Sequence, residues 1–342
     1  MKKIIHYINR IACTLSGIAL ATQLNTANGA NPYLPLWEYI PDGEPYVFED
    51  PDNPGKYRVY VYGSHDSLIK EYCGREQVVW SAPIDNLNEW RYDGIIFESK
   101  TDANGKPLNA EGIGDILYAP DIAEVVDKEG NKTYYFYPNN QSEGRKGMIA
   151  KASRPDGPFV VCNWSKESPK LTDGDLRFDP AVLVDDDGKA YQFCSSENNA
   201  TLYINELTPD YLKPTGRYTR NFIGESREAP AVFKHDGKYY MLSSGCTGWD
   251  PNRAELAVAD SIMGPWRTIG DPCTGVDADK TFYAQSTFVI PVQGKDNCYI
   301  AMFDRWNKTD LENSLYVWLP ISIEEGKITI PWHDQWKVSD LK

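Results

Sequence analysis

Four carboxylates in this chain share the same kind of sequence neighbourhood. Asp42, Asp121, Asp179 and Glu228 each lie within two residues of a proline, beside a run of β-forming residues. A single carboxylate in such a place is usually a turn former, but the repetition indicates a common role. Hydrolysis of a glycosidic bond needs one protonated and one ionised carboxyl group, and a third carboxylate nearby can raise the pKa of the acid. The pattern therefore indicates glycosidase chemistry, provided that the fold brings these residues together.

Such a fold is indicated by a pattern that recurs five times along the chain. A turn rich in Gly, Asp, Asn and Lys is followed each time by a short strand rich in Tyr, Val and Phe; the turns begin near residues 55, 130, 187, 236 and 294. Pairs such as Asp-Gly between β-rich runs predict hairpins. Self-similar four-strand units at this spacing are typical of β-propellers. We predict an all-β chain, a five-bladed β-propeller forming one domain over residues 30–342, with a β-sandwich as the alternative.

The composition narrows the class of substrate. The 342 residues include 35 Lys and Arg against 49 Asp and Glu, which gives a formal net charge of −14. Such a charge repels phosphate backbones and anionic lipid, so we expect neither nucleic-acid binding nor a membrane partner. The 22 Tyr and 10 Trp residues offer flat faces for sugar rings. No G-x-S-x-G elbow, P-loop or H-E-x-x-H motif is present, which argues against the common alternatives.

The first 29 residues read as a secretory signal peptide. Lys2, Lys3 and Arg10 precede a mostly apolar stretch over residues 11–24, and small residues up to Gly29 offer a cleavage site. An N-terminal membrane anchor is the alternative, although the apolar stretch is short for a span. The six cysteines after Gly29 are scattered without zinc-ligand spacing. We expect mostly unbridged thiols.

Three segments resemble glycoside hydrolase family 43, which comprises five-bladed β-propeller enzymes that release arabinose, xylose or galactose from plant polysaccharides. Pro41-Asp42-Gly43-Glu44-Pro45 resembles the segment with the general base of that family. Phe178-Asp179-Pro180-Ala181 resembles the segment with its pKa-modulating Asp, and Arg227-Glu228-Ala229-Pro230 the segment with its general acid. The three occur in the family's order, and the resemblance extends from about Pro41 to Trp336.

The resemblance implies a role for each of these carboxylates. Asp42 is implied as the general base, Asp179 as the pKa modulator and Glu228 as the general acid of an inverting hydrolysis. Many family members have Asp-Pro at the base position, whereas Gly43 follows Asp42 here, so Glu44 is a second candidate for the base.

The neighbouring segments supply candidates for substrate binding. We predict substrate contacts for Asp121, for Trp249 in the loop after the acid-bearing hairpin, for Arg305 at the end of a late strand, and for His65 beside the first. A packed indole for Trp249 and an ion pair for Arg305 are the structural alternatives. Gln285 stands where many members have a His that helps to hold a central calcium or water. We therefore predict no cofactor and no metal, and an axial calcium is doubtful.

These observations together predict a secreted or periplasmic, inverting exo-glycosidase. The first choice of substrate is a terminal α-L-arabinofuranose of arabinan, arabinogalactan or xylan side chains. An exo-β-galactosidase or a β-xylosidase of the same family is the alternative. A carbohydrate-binding propeller without catalysis is the alternative from another class, disfavoured because a binding module has no use for three mutually repelling carboxylates. We expect a monomer.

Overall fold

The computed structural model describes most of the chain after residue 43. The described residues are 29–31, 40, 44–64, 76–98, 101–102, 104–106, 117–140, 148–164 and 178–341. Asp42 and His65 lie outside these ranges, and Asp179 is described through its backbone.

After a two-residue strand, β1 (Gly29–Ala30), four sheets follow one another along the chain. Each has four strands in sequence order, paired antiparallel. The first sheet contains β2 (Glu44–Glu49), β3 (Tyr57–Ser64), β4 (Glu76–Pro83) and β5 (Arg91–Glu98). The second contains β6 (Leu117–Val126), β7 (Lys132–Asn140), β8 (Met148–Ala152) and β9 (Val160–Trp164). The third contains β10 (Phe178–Val184), β11 (Ala190–Ser196), β12 (Thr201–Leu207) and β13 (Pro214–Asn221), and the fourth β14 (Arg227–His235), β15 (Lys238–Gly245), β16 (Glu255–Ala259) and β17 (Arg267–Gly270).

The remaining strands form three smaller sheets. They are β18 (Cys273–Thr274), β19 (Gln285–Pro291), β20 (Tyr299–Arg305), β21 (Leu315–Pro320), β22 (Ser322–Glu324), β23 (Lys327–Pro331) and β24 (Gln335–Trp336). The fifth sheet is β19-β20-β21, the sixth is β18-β23-β22, and β1 pairs with β24. Helical structure in the described ranges is limited to three short 3₁₀ segments, Ala278–Tyr283, Leu311–Asn313 and Val338–Asp340. The fold is an all-β propeller, as predicted.

The number of sheets differs from the prediction of five blades, because the described residues form six sheets of three or four strands. The sixth sheet lacks the Tyr- and Val-rich pattern that indicated the others. Its hairpin turns at Glu325-Gly326, both with positive φ, and the very short β18 joins β23 in parallel. Such short segments give no periodic signal in a sequence.

The first strands of five sheets contact one another in a cycle. Contacts join β2 to β6, β6 to β10, β10 to β14, β14 to β19, and β19 to β2. Apolar side chains fill the space between adjacent sheets. Between the first and second sheets, for example, Tyr60, Tyr62, Phe136 and Phe159 are fully buried. The starts of these five strands, far apart in sequence, are therefore brought to one region of the molecule.

Four of these strands share a bulge near their start. The pairing register shifts between Tyr118 and Asp121 in β6, Phe178 and Ala181 in β10, Glu228 and Ala231 in β14, and Ser286 and Phe288 in β19. In the first three the bulge contains the proline seen in the sequence, which has no N–H to give to the neighbouring strand. Bulges redirect the side chains beside them and are common at active sites.

The segment at residues 29–31 joins the two ends of the described chain. Besides the β1–β24 pairing, the Asn31 side chain donates to the carbonyls of Trp318 and His333 at 3.0 and 2.9 Å, and accepts from the Trp318 N–H at 3.0 Å. The cleavage site predicted after Gly29 lies within β1. No helix in the described part of the chain has the length and apolar character needed to cross a membrane.

Candidate active site

Glu228 lies at the bulge that opens β14, opposite Ser244 on β15. Glu228 as a whole is 9% exposed and therefore buried. The backbone around it is fixed from both neighbouring sheets: Ser195 donates to the Arg227 carbonyl at 2.7 Å, and Ser286 donates to the Ala229 carbonyl at 3.1 Å. These hydrogen bonds satisfy carbonyl groups that the bulge takes out of the regular ladder. The bulge thus holds Glu228 in a defined position.

Gln285, the first residue of β19, connects this carboxyl group to the fifth sheet. Its Nε2 donates to Glu228 Oε1 at 3.0 Å and to Ser244 Oγ at 2.8 Å. Its Oε1 accepts from the indole Nε1 of Trp306 at 3.1 Å. Both amide hydrogens and the amide oxygen therefore have partners.

This network fixes which atom of Glu228 can carry a proton. An indole N–H can only donate, so Trp306 requires the oxygen of the Gln285 amide and turns its NH₂ group toward Glu228. Oε1 of Glu228 then faces a donor, and a proton on the carboxyl group is best accommodated on Oε2. A buried carboxyl group whose Oε1 accepts from an amide, and whose proton is thereby directed to Oε2, has an arrangement that suits a general acid.

Asp121 lies at the bulge of β6 and is completely buried. Its carboxyl group accepts from the N–H groups of Ile122 (2.6 Å) and Val182 and from the hydroxyl of Tyr46. Tyr46 belongs to β2 and Val182 to β10, so Asp121 ties the first strands of the first three sheets together. These contacts give the carboxyl group a positioning task, and the substrate contact predicted for Asp121 stays a prediction.

The surroundings of Asp121 favour its neutral form. Burial raises the pKa of Asp121 to about 8, although the hydrogen bonds from Tyr46, Ile122 and Val182 act in the opposite direction. The Tyr46 hydroxyl also lies 3.1 Å from the Val182 carbonyl. With one hydrogen, Tyr46 cannot donate to both oxygens at once. A protonated Asp121 resolves this by donating to Tyr46, which then donates to Val182.

The other predicted site residues divide by position. Arg305 is the last residue of β20. Its neighbour Asp304 is the strand-register partner of Gln285, and its other neighbour, Trp306, donates a hydrogen bond to the Gln285 side chain. Trp249 is half-buried in the loop after β15, which Asn252 braces through bonds to Gly245. The contact from either residue to a substrate stays a prediction.

For three of the predicted site residues the structure does not describe the side chain. Asp42 and His65 lie outside the described residues, while Asp179 occupies the bulge of β10 through its backbone. The roles of base and pKa modulator therefore stay predictions. In the described ranges, no group of three or more His, Cys, Asp or Glu side chains could hold a metal ion.

The amino-acid sequence matches the model of a known protein family. The model for glycosyl hydrolases family 43 matches residues 45–285, which include the first four sheets and extend to Gln285. The chain belongs to this family. The enzyme class predicted from the sequence, a glycoside hydrolase, is confirmed at the level of the family.

Individual members of family 43 show two kinds of specificity. A xylosidase/arabinosidase from Thermoclostridium stercorarium is 35% identical over 237 residues, covering 63% of this chain and 46% of that protein. An arabinoxylan arabinofuranohydrolase from Paenibacillus polymyxa is 29% identical over 70% of this chain and 39% of its own length. Among solved structures, a β-1,3-galactosidase of the family with bound galactodeoxynojirimycin is 30% identical, with a TM-score of 0.73 over 87% of this chain and 95% of that chain. The chain spans less than half the length of these two curated relatives.

Sequence reasoning within family 43 did not find the roles of Gln285 and Trp306. Gln285 was noted there only as a replacement for a metal-holding His, and Trp306, which follows Arg305 in the sequence, was not singled out. The signal that could have found them is their place in the fifth sheet, at the start of β19 and just after β20, where this sheet meets the acid-bearing one. The contact itself joins residues 57 positions apart.

Replacing Trp306 by Phe tests the orientation of the Gln285 amide. The variant loses the indole donor but retains an aromatic ring, so the amide can rotate and present its oxygen to Glu228. We expect kcat to fall about tenfold, the equivalent of one lost hydrogen bond, with a smaller change in KM. Steady-state kinetics on a cleaved saccharide measure this. Trp266→Phe is the matched control, since that indole donates to the Ile262 carbonyl within the connection between β16 and β17. Equal losses in both variants would contradict the role of Trp306.

Replacing Asp121 by Asn tests whether the buried carboxyl group is neutral. At pH 5 we expect the variant to be less stable by about 1–3 kcal/mol, because its NH₂ group can donate to Tyr46 but cannot accept from the Ile122 N–H. Between about pH 4 and pH 8, the unfolded wild-type chain loses the Asp121 proton and the folded chain retains it. Wild-type stability therefore falls as the pH rises, while this contribution is absent in the variant.

The stability of the wild type minus that of the variant should accordingly fall by about 1.4 kcal/mol per pH unit from pH 5 and become negative before pH 8, measured by urea unfolding at each pH. Asp236→Asn, in the exposed turn between β14 and β15, is the control and should change little relative to wild type. A difference that stays constant or widens with pH would show that Asp121 is ionised in the folded protein.

Proposed function

We propose that this chain is an inverting exo-glycosidase in which Glu228 is the general acid. The observation that carries the proposal is the arrangement of Glu228, buried at the bulge of β14 with Oε1 bound to Gln285. General acid catalysis requires a carboxyl group that stays protonated and is positioned against the leaving oxygen. A proton on Oε2 of Glu228, held on a rigid strand, meets this requirement.

The remaining roles in this proposal follow the family resemblance. Asp42 activates the attacking water as general base, and Asp179 raises the pKa of Glu228 by like-charge repulsion. In an inverting reaction the two reacting carboxyl groups stand roughly 6.5–9.5 Å apart, which leaves room for the water. The backbone of Asp179 at the bulge of β10, the strand that contacts β14, supports its part.

For the substrate, we place a terminal β-linked galactose first. The β-1,3-galactosidase structure is matched over nearly its entire length, whereas the curated xylosidase/arabinosidase relatives are matched over less than half of theirs. A terminal α-L-arabinofuranose, the first choice from the sequence, is the second candidate and is supported by the names of those relatives.

We also propose that the protein is exported, with residues 1–29 as its signal peptide. The positively charged start and the apolar stretch of residues 11–24 support this. A chain beginning at Ala30 in the periplasm or the medium would agree with it, and an uncleaved chain in the cytoplasm would contradict it.

The catalytic proposal is tested with three saccharides: β-1,3-galactobiose, xylobiose and an α-L-arabinofuranosyl-substituted xylo-oligosaccharide. We expect the wild-type protein to release the terminal sugar from one of them with inversion, detected by chromatography and proton NMR. Glu228→Gln should lower kcat at least about 100-fold, since it removes the acid but preserves the shape of the site.

Glu206→Gln is the matched control for this test. Glu206 on β12 forms an ion pair with Arg217 on β13 in the third sheet, at 3.0 Å. Its replacement should leave kcat within about twofold of wild type. Wild-type binding of a saccharide without turnover would favour the non-catalytic propeller, and retention of the anomeric configuration would contradict the inverting mechanism.

A further inference from the structure

The segment that leads into Gln285 has an unusual backbone. Thr281, Phe282 and Tyr283 have φ values of 50°, 57° and 60°, so three consecutive residues other than glycine are left-handed. Side chains with a Cβ rarely adopt this conformation, and it persists only where surrounding contacts determine it. Such strain concentrates at ligand-binding and active sites.

Two of the three residues anchor the segment. Thr281 is buried, donates to the Asn252 carbonyl at 2.8 Å and accepts from the Ala254 N–H at 2.7 Å. Phe282 is buried, with its ring 5.2 Å from that of Trp332. Because Thr281 and Phe282 are held in the interior by these contacts, Tyr283 lies at the surface, where it is 37% exposed.

The ring of Tyr283 lies against two cations. The guanidinium carbon of Arg305 is 5.5 Å from the ring centroid, and the Lys280 ammonium is 5.4 Å from it. The Tyr283 hydroxyl donates to Asp277 Oδ1 at 3.0 Å, which fixes the plane of the ring. The Arg305 side chain is half-buried. Among the described residues it makes no hydrogen bond or ion pair, and its cation–π contact is with the Tyr283 ring.

We propose that Tyr283 is a positioning residue that holds the Arg305 guanidinium for the substrate. A guanidinium has five N–H donors, and those of Arg305 have no acceptor among the described residues. Arg305 ends β20 and is followed by Trp306, whose indole donates to Gln285, and Gln285 in turn donates to Glu228. In this proposal the donors of Arg305 are directed to oxygen atoms of the sugar bound next to the acid.

Tyr283 suits this task because its face attracts the cation without consuming its donors. A carboxylate partner would bind the guanidinium through its N–H groups and compete with the substrate for them. A cation–π contact fixes the position of the charge and leaves the edge of the guanidinium free. The strained segment is then explained as the means of placing an aromatic ring beside Arg305. This inference rests on the proposed function, because it assigns a residue to the same site.

A double-mutant cycle of Tyr283→Leu and Arg305→Ala tests the inference. Its kinetics are measured on the saccharide that the wild-type protein cleaves. We expect Tyr283→Leu to raise KM about tenfold with kcat within about threefold, and the pH profile to stay unchanged because Glu228 is not affected. In the Arg305→Ala background the same substitution should change KM less than twofold, since Tyr283 acts through Arg305. Tyr283→Phe keeps the ring and should return KM to within about threefold of wild type.

Tyr218→Leu is the matched control, an exposed tyrosine on β13, the last strand of the third sheet. Equal effects of Tyr283→Leu with and without Arg305 would overturn the inference while the proposed function stands. If the wild-type protein cleaves none of the saccharides, the proposed function fails, and calorimetric titration of the same variants with galactose and arabinose replaces the kinetics. If Tyr283→Leu weakens sugar binding in the wild-type background but not in the Arg305→Ala background, the inference is supported. If it weakens binding equally in both backgrounds, or if the wild-type protein binds neither sugar, the inference is overturned.

Discussion

The hydrogen bond between the Gln285 amide and Glu228 is the interaction on which the site depends. It requires the fourth and fifth sheets to be neighbours and the start of β19 to lie beside the bulge of β14. It also requires Trp306 to fix the direction of the amide, because an amide with its oxygen toward Glu228 could not donate to it. The propeller meets these requirements by packing strands from distant parts of the chain against one another.

The same construction recurs on the other side of the ring with a different outcome. The bulges of β6 and β14 each contain a proline and an alanine with positive φ, Ala119 and Ala229. At β14 the bulge holds Glu228, which is 9% exposed, against the Gln285 amide, whereas at β6 the carboxyl group of Asp121 is completely buried and bound by Tyr46 and Val182. Carboxylates with similar sequence neighbourhoods therefore have different surroundings: Glu228 accepts from the Gln285 amide, and Asp121 ties three strands together.

Local sequence predicted the hairpins and singled out Glu228 as a candidate. The Asp236-Gly237 turn, for example, has the two positive φ values that a two-residue hairpin needs, and Asp-Gly is the pair that favours them. The sixth sheet escaped prediction because β18 and β22 are too short to show a period of two. The burial of Asp121 and the contact of Gln285 with Glu228 depend on which strands become neighbours, and no local pattern encodes that. Proline near a carboxylate marked the positions of the bulges in β6, β10 and β14, but not whether the carboxylate side chain would be enclosed.

The most direct test of Glu228 as the proton donor compares two leaving groups on the same terminal sugar. The oxygen of a departing saccharide must be protonated as the glycosidic bond breaks, whereas dinitrophenolate leaves without a proton. We expect Glu228→Gln to lose at least about 100-fold in kcat/KM on the disaccharide but less than about tenfold on the dinitrophenyl glycoside. Equal losses on both substrates would contradict the assignment of Glu228 as the general acid.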